Sequence, residues 1–512
     1  MGISPYAAIV IGSKNMLMKV YEISGGKGFR TVDETFDLLD RKQEEAYFTR
    51  KITFAQIEEI CNVLMEFQQR MREYAITEFR CYATSAIRNA KNQVSVLNQI
   101  KIRTGVDVIM LSNSELRFLM YKGIQVLDID FNKIIEKNTA ILDIGSGSVQ
   151  VSLFDKQALY MTQNLDIGTV KVRGFLESVE NNVLDYISVL EEYIQYEFDM
   201  FKSGYLKDKD IKNVIAIGDE IKNINRLIPE LHLTDTMSYE QILYIYKKIK
   251  KASYQDIALK YGLSIEDARM VLPSVLIYKT FLERSKADTV YICATNLCDG
   301  SVVDYAQETK KIKLSHDFYQ DIVASAKYIG KRYRYSKVHA QYITDLALEI
   351  FDKTKKFHGL TQRDRLILEI SAILHDIGKY VNLNDPGKNG YQLIISTEIM
   401  GLSHREREEV ANIVLYNTQE LPDTDELDTA FWREEYLRIA KLSSILRLAN
   451  ALDRGHKQKL EKCSMARKGK ELIISLETNQ DITLEITRFS KKAETFSEFT
   501  GITPVLKQKR AL

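Results

Sequence analysis

With 512 residues the chain is too long for one core and is expected to divide into about three or four domains. Hydrophobic residues make up 45% and charged residues 28%, and Lys+Arg 71 against Asp+Glu 70 leaves a formal net charge of +1. That balance argues against a nucleic-acid-coating surface, yet it permits an anion site built from loop amides and a few cations.

From the first residues onward, positions 6–23 predict two apolar strands joined by a turn at Gly12-Ser13-Lys14-Asn15. Thr53 followed by Gln56 is a capping-box pattern, and Ile57, Ile60, Cys61, Leu64 and Phe67 continue it as a helical stripe. Strands are expected near Phe79–Ala83 and Val106–Leu111 with a helix between. The strand, glycine turn, strand unit returns at Thr139–Phe154, followed by a helix from about Val183 to Met200 and a strand ending at Ile217-Gly218. Two copies of one βββαβα-type unit predict paired α/β lobes around a cleft, with each glycine turn facing it.

Tyr254–Met270 has a helix-turn-helix pattern but lacks a basic recognition face, having only Lys260 and Arg269 among Asp256, Glu266 and Asp267. No nucleic-acid partner is expected. From about Lys310 long helical stripes predict a separate helical domain, and the alternating runs ELIISLE and DITLEITRF within 471–507 predict a small β-rich cap. The five cysteines, Cys61, Cys81, Cys293, Cys298 and Cys463, form no CxxC pair and fit reduced thiols in a core. With no signal-peptide pattern and no apolar run approaching about 18 residues, a cytoplasmic location without a membrane partner is expected.

Turns between strands expose backbone N–H groups that can cradle phosphate. Two qualify, Gly12-Ser13-Lys14-Asn15 and Gly145-Ser146-Gly147-Ser148. The ordered set IVIGSKNM, YATSAIRNAKN, LSNSELRFLMYKGI, LDIGSGSVQ, LDIGTVKV, AIGDEIKNINRL and EDARMVLPS resembles the Ppx/GppA family across the first 300 or so residues. The resemblance implies a duplicated actin-like, ribonuclease-H-like fold and an exopolyphosphatase-like phosphohydrolase. Such an enzyme removes terminal phosphate from polyphosphate or guanosine pentaphosphate with Mg²⁺, and family members often pair as homodimers.

Carried over position by position, several family acids are replaced. Val10 and Leu116 stand where the family has an Asp and its catalytic Glu, and Gln150 stands for a Glu. The third turn carries Asp219 and Glu220 where phosphate would approach. Asp143 remains as the expected Mg²⁺ carboxylate, with Gly12, Ser13, Lys14, Thr84, Ser85, Arg88, Gly145, Ser146, Gly147 and Ser148 as phosphate-binding candidates. Glu115, Asp143 and Gln150 are the catalytic candidates. Either a base has moved, with Glu115 or Asp219 as the acid, or the cleft is a polyphosphate- or nucleotide-binding site of a catalytically impaired regulator.

In the helical domain, His339, His375 and Asp376 resemble the metal ligands of HD-domain phosphohydrolases, as does the run LRLANALDRGHKQK. Asn450 stands where the last Asp would be, Asn389 and Asn417 where related sequences carry His, and Asp453, the candidate substitute three residues further along the helix, is expected to point about 60° away from Asn450. The trio is expected to be either a second divalent-metal site or a hydrogen-bonded structural cluster, while His404 and His456 are expected on the surface. The resulting architecture is α/β: actin-like lobes at 1–135 and 136–308, a helical HD-like domain at 309–465, and a small β-rich C-terminal domain at 466–512.

Overall fold

Period-two apolar alternation at the start of the chain places Ala7, Ile9 and Ile11 on one face and Tyr6 and Ala8 on the other. These residues form β1 (Ile3–Ile11), which pairs antiparallel with β2 (Asn15–Ser24) and, beyond it, β3 (Gly28–Leu38). On the other side β1 runs parallel to β4 (Phe79–Ala83), which pairs with β5 (Val108–Met110), so the first sheet has the order β3-β2-β1-β4-β5. The computed structural model describes residues 3–12, 15–25, 28–39, 51–127, 129–179, 185–206, 210–228, 235–293, 295–422, 433–459 and 462–509.

The same plan recurs in β6 (Thr139–Ile144), β7 (Val149–Asp155), β8 (Ala158–Leu165), β9 (Asn213–Ile217), β10 (Thr236–Ser238) and β11 (Thr289–Cys293). Their order is β10-β11-β9-β6-β7-β8, with β6 parallel to β9 as β1 is to β4. The expected duplication is therefore present, with one extra edge strand, β10. The Phe54–Glu73 helix that covers the first sheet begins with the anticipated capping box of Thr53 and Gln56.

The Leu297–Glu308 helix leaves β11 of the second lobe and packs on the first. Cys298, Val302, Val303 and Ala306 cover Tyr6, Ala8, Tyr21 and Ile23. Tyr21 Oη donates to Asp299 at 2.7 Å, and Lys19 meets the same carboxylate at 3.3 Å. A side chain on Gly300 would lie 1.8 Å from Leu119 O, so this helix touches the backbone of the Asn113–Lys122 helix and fixes its position.

These elements make up one compact unit, Met1–Phe318; Tyr319–Leu512 is a second. Its helices include Lys337–His358, Gln362–Leu374, His404–Thr418 and Arg433–Ala451. A small sheet, β12 (Lys462–Lys468), β13 (Glu471–Glu477) and β14 (Thr503–Lys509), completes the unit. The run DITLEITRF is not a strand: it opens the Thr483–Thr500 helix. Because β13 and β14 are parallel, a crossover must join them. The buried positions Ile482, Glu485, Phe489, Phe496 and Thr500 follow helical spacing, whereas Leu484 and Ile486 are exposed. No helix among the described residues is long and apolar enough to cross a membrane.

His358 closes the Lys337–His358 helix with both ring nitrogens engaged. Nε2–H donates to Phe351 O at 3.0 Å, and Nδ1 accepts the Leu360 N–H at 2.9 Å. Burial, aided by the nearby Lys441 charge, pushes its pKa below the usual histidine value, with Asp364 acting in the opposite sense. A depressed histidine contributes stability that is present above about pH 6.5 and lost as the pH falls, because the unfolded ring takes up the proton first. The thermal transition of the full chain should therefore fall between pH 7.5 and 5.5, and fall less steeply in His358→Asn. Equal slopes in melts of the two proteins would contradict this assignment.

Candidate functional site

The β6–β7 turn closes with Gly145 N–H donating to Ser148 O at 3.0 Å, as the β1–β2 turn closes from Gly12 N–H to Asn15 O at 2.8 Å. Behind the second turn, Thr169 N–H and Val170 N–H donate to Gly145 O and Ser146 O, at 3.1 and 3.0 Å. Gly168 packs so closely that a Cβ there would meet Ser148 N at 2.4 Å and Ser146 O at 2.5 Å. Among the described residues the Ser146 and Gly147 amides have no backbone acceptor, so they are available to an anion.

Register then aligns three polar side chains. Asp143 on β6 pairs with Gln150 on β7, which pairs with Asn164 on β8, and directly opposed residues share one face of a sheet. Arg117, carried by the first lobe on the Asn113–Lys122 helix, spans this row. Its Nη1 donates to Asn164 Oδ1 at 2.7 Å, its Nη2 donates to Ser148 Oγ at 2.7 Å, and its Nε lies 3.7 Å from Asp143 Oδ2. Gln150 is 2% exposed, and its Nε2 has no hydrogen-bond partner.

The third turn approaches the row as well: the position of a Cβ on Gly218 would be 3.5 Å from Asp143 Oδ1 and 4.0 Å from Glu220 Oε2. Thr169 Oγ1 donates to Glu220 Oε1 at 3.5 Å. Tyr278, fully buried, has its phenol pushed far up by burial, to which the charges of Glu220 and Asp143 add.

The other candidates are distributed differently. Glu115 lies on the same helix as Arg117 but two residues earlier, roughly 200° around the axis. Its carboxylate accepts the Ser112 N–H at 2.9 Å as half of a capping box. Arg88 donates to Leu111 O at 2.7 Å and to Asn113 Oδ1 at 2.5 Å, both in the first lobe. Thr84 donates to Ile11 O. Val10 and Leu116 join one apolar cluster with Tyr82, Leu111, Leu119 and Leu297. Ser13 and Lys14, and the side chains of Ser85 and Asp219, lie outside the described residues.

The residues around Asp143 do not fit a Mg²⁺ ion. Such an ion needs oxygen donors at about 2.0–2.1 Å in octahedral array. Here a guanidinium faces Asp143, and the neighbouring Gln150 holds an unmatched N–H donor.

The second unit holds a cluster of side chains that could ligate a metal ion. His339 and His375 are each 1% exposed, and their Nε2 atoms face each other at 3.2 Å. His339 Nδ1 is taken by Asp453 Oδ2 at 2.8 Å and His375 Nδ1 by Ala372 O at 2.7 Å. These partners place both Nδ1 protons and leave two Nε2 lone pairs directed at each other, an arrangement that calls for a cation between them. Burial pushes the His375 pKa down, so a proton is a poor bridge. Asp376 oxygens lie 3.8 Å from His339 Nε2 and 3.6 Å from His375 Nε2. Burial would raise this carboxyl, but the His375 and Lys379 charges outweigh it and hold it at about 2. Among the described residues this trio is the one group of three or more ligand side chains converging within 4.8 Å.

Two expectations change here. Asp453 lies beyond the end of the Arg433–Ala451 helix, so the helical angle does not apply to it and it reaches His339. His456 is not simply a surface residue: it stacks on His339 at 3.5 Å between ring centroids and lies 3.4 Å from Asp376, with its pKa pushed down to about 4 by burial and by the His339 and Lys379 charges. Asn450 and Asn417 bond each other at 3.3 Å, Asn389 bonds Asn382 O, and His404 is exposed beside Glu408. A visible signal for Arg117 is its place on the stripe Ser114, Arg117, Phe118 and Tyr121, which is buried in the structure. Asn164 could be found only by counting strand register.

Comparison with known proteins agrees with this architecture. The sequence pattern of the Ppx/GppA phosphatase family matches residues 20–309, and that of Ppx/GppA phosphatase, domain III, matches 323–492. A guanosine-5'-triphosphate,3'-diphosphate pyrophosphatase of Photobacterium profundum is 23% identical over 470 residues, 87% of each chain. A bifunctional 3-dehydroquinate synthase/phosphatase of Fusobacterium nucleatum is 22% identical over 266 residues, 48% of this chain and 38% of that protein. A solved Ppx/GppA family member of Aquifex aeolicus shares the fold with a TM-score of 0.50 at 20% identity, covering 60% of this chain and 99% of its own. An exopolyphosphatase from Cytophaga hutchinsonii does so at 0.50 and 16%, with 60% and 99% covered.

Proposed function

Since the chain belongs to the Ppx/GppA phosphatase family, we propose that its two-lobed unit binds the terminal phosphate of polyphosphate or guanosine pentaphosphate and hydrolyses it slowly. The observation that carries this reading is the Asp143–Gln150–Asn164 row beside the Gly145–Ser148 turn, with Arg117 laid across it. Turn amides and the guanidinium hold phosphoryl oxygens; water attacks the terminal phosphorus; the anhydride P–O bond breaks and inorganic phosphate leaves. Asp143 is the carboxylate placed to take the water's proton. A carboxylate paired with a guanidinium is a poor base, and loss of an effective general base costs about 10² to 10⁴ in rate. Phosphate release from long-chain polyphosphate and from guanosine pentaphosphate should be measurable at high enzyme concentration, slower by that factor than in an acid-complete relative. No release above the rate of an Asp143→Asn variant would sink the hydrolytic reading.

A second reading is favoured by one observation. Val10 and Leu116, at the two positions where the family resemblance implies acids, pack in the same apolar cluster and offer no ligand or base. On this reading the cleft is a binding site, and the chain acts as a polyphosphate- or nucleotide-responsive regulator. Binding of tripolyphosphate without any phosphate release separates it from the first.

We infer separately that His339, His375 and Asp376 form a divalent-metal centre in the second unit, with Asp453 orienting His339. A bound ion would supply Lewis acidity and a polarised water there.

A further inference from the structure

We propose that Arg117 is the resident cation of the lobe cleft, standing in for a divalent ion on Asp143, so that the site takes a phosphoryl group without Mg²⁺. The inference deepens the phosphate-binding reading and rests on it. Three observations carry it.

Arg117 comes from the lobe opposite the row, is 7% exposed, and divides its fork between Asn164 and Ser148 while its Nε faces Asp143. A guanidinium remains charged at any working pH and needs no exchangeable ion. The charge that a metal would neutralise on Asp143 is therefore already countered by the protein.

Next to it, Gln150 Nε2 is buried without a partner. A buried unmatched donor calls for an acceptor and repels a metal ion. Its cross-strand neighbours Asp143 and Asn164 both meet Arg117, so this donor belongs to the same surface.

The remaining groups point the same way. Ser148 lies at the end of the turn whose Ser146 and Gly147 amides are available. Guanidinium, side-chain amide, hydroxyl and turn amides together form a donor set suited to a tetrahedral oxyanion, with Arg117 able to offer paired N–H groups to phosphoryl oxygens.

Calorimetric titration of the full chain with sodium tripolyphosphate, once in EDTA and once in MgCl₂, tests this. Binding should be at least as tight in EDTA as with Mg²⁺, and this comparison needs no variant. Arg117→Ala should weaken binding in EDTA by about 10- to 100-fold, and Arg117→Lys, which keeps the charge but loses the fork, should restore little of it. Gln150→Leu should cost about 5- to 10-fold. Binding by the unaltered chain that appears only with Mg²⁺ overturns the proposal while leaving the phosphate reading in place, and so does a folded Arg117→Ala that binds as tightly as the parent in EDTA. Absence of binding in both buffers removes the two together.

Discussion

Dialysed against Zn²⁺ or Mn²⁺ and then against buffer, the full chain should retain about one equivalent of metal, and His375→Ala should retain almost none. Two imidazole nitrogens 3.2 Å apart, each with its other nitrogen already hydrogen-bonded, make a site whose unloaded form carries facing lone pairs. Removing His375 takes away a ligand outright. Since a residue that merely orients a ligand is worth about 10- to 100-fold in metal affinity, a ligand should be worth at least the upper figure. Asp453→Asn should fall in that 10- to 100-fold range, because it weakens the hydrogen bond that turns His339 Nε2 toward His375. Lys379, which donates to Asp376 Oδ2 at 2.6 Å, competes for the same carboxylate. Lys379→Met should therefore tighten retention, an effect opposite in sign to the other two. Metal analysis by mass spectrometry checks all of these, and an unaltered chain that retains no metal would reduce the trio to a structural cluster.

Gly168→Ala should weaken tripolyphosphate binding by at least about tenfold, while Gly174→Ala, six residues along, should leave it unchanged. The difference is steric. At Gly168 the added carbon would meet only backbone, at Ser148 N, Gly147 C and Ser146 O, all within 2.4–2.5 Å. Backbone cannot swing aside as a flexible side chain can, so the turn itself must move, and with it the amides and Ser148 Oγ that Arg117 holds. At Gly174, within the Thr169–Val179 helix, a Cβ would meet nothing within 4 Å. Alanine there should stabilise the fold by about 0.5–1 kcal/mol through helix propensity. Calorimetry on the two variants, with thermal melts to confirm folding, compares them directly; equal affinities would show that the turn is not part of the anion site.

Local signals were the legible ones. Thr53 and Gln56 announce a helix start because a capping box satisfies orphan amides within four residues, whatever the rest of the chain does. Both glycine turns are visible because a tight hairpin limits what can occupy Gly12 and Gly145. The Asp143–Gln150–Asn164 row was half legible. Asp143 and Gln150 flank one short turn, but Asn164 joins them only through the register of a third strand. Arg117 was legible as a charged residue on a buried helical stripe, but not as a site residue, since that role depends on the packing of two lobes whose relation no local pattern encodes.

Two further readings went astray for the same reason. Ile482, Leu484 and Ile486 alternate like a strand over a short window, but the demand for a crossover between parallel β13 and β14 is set by tertiary pairing. Asp453 was measured along a helix that ends at Ala451, and the turn beyond brings it back to His339.

The Leu297–Glu308 helix has a consequence for how the chain is made. It supplies the cover for Tyr6, Ala8, Tyr21 and Ile23 of the first lobe, yet it lies nearly 300 residues downstream of them. During ribosomal synthesis that lobe's sheet emerges early and waits, one apolar side open to water or to a chaperone, until this late segment leaves the exit tunnel. Maturation of the first lobe is thereby tied to translation of the second, and a nascent chain stalled before residue 297 carries an unsealed surface.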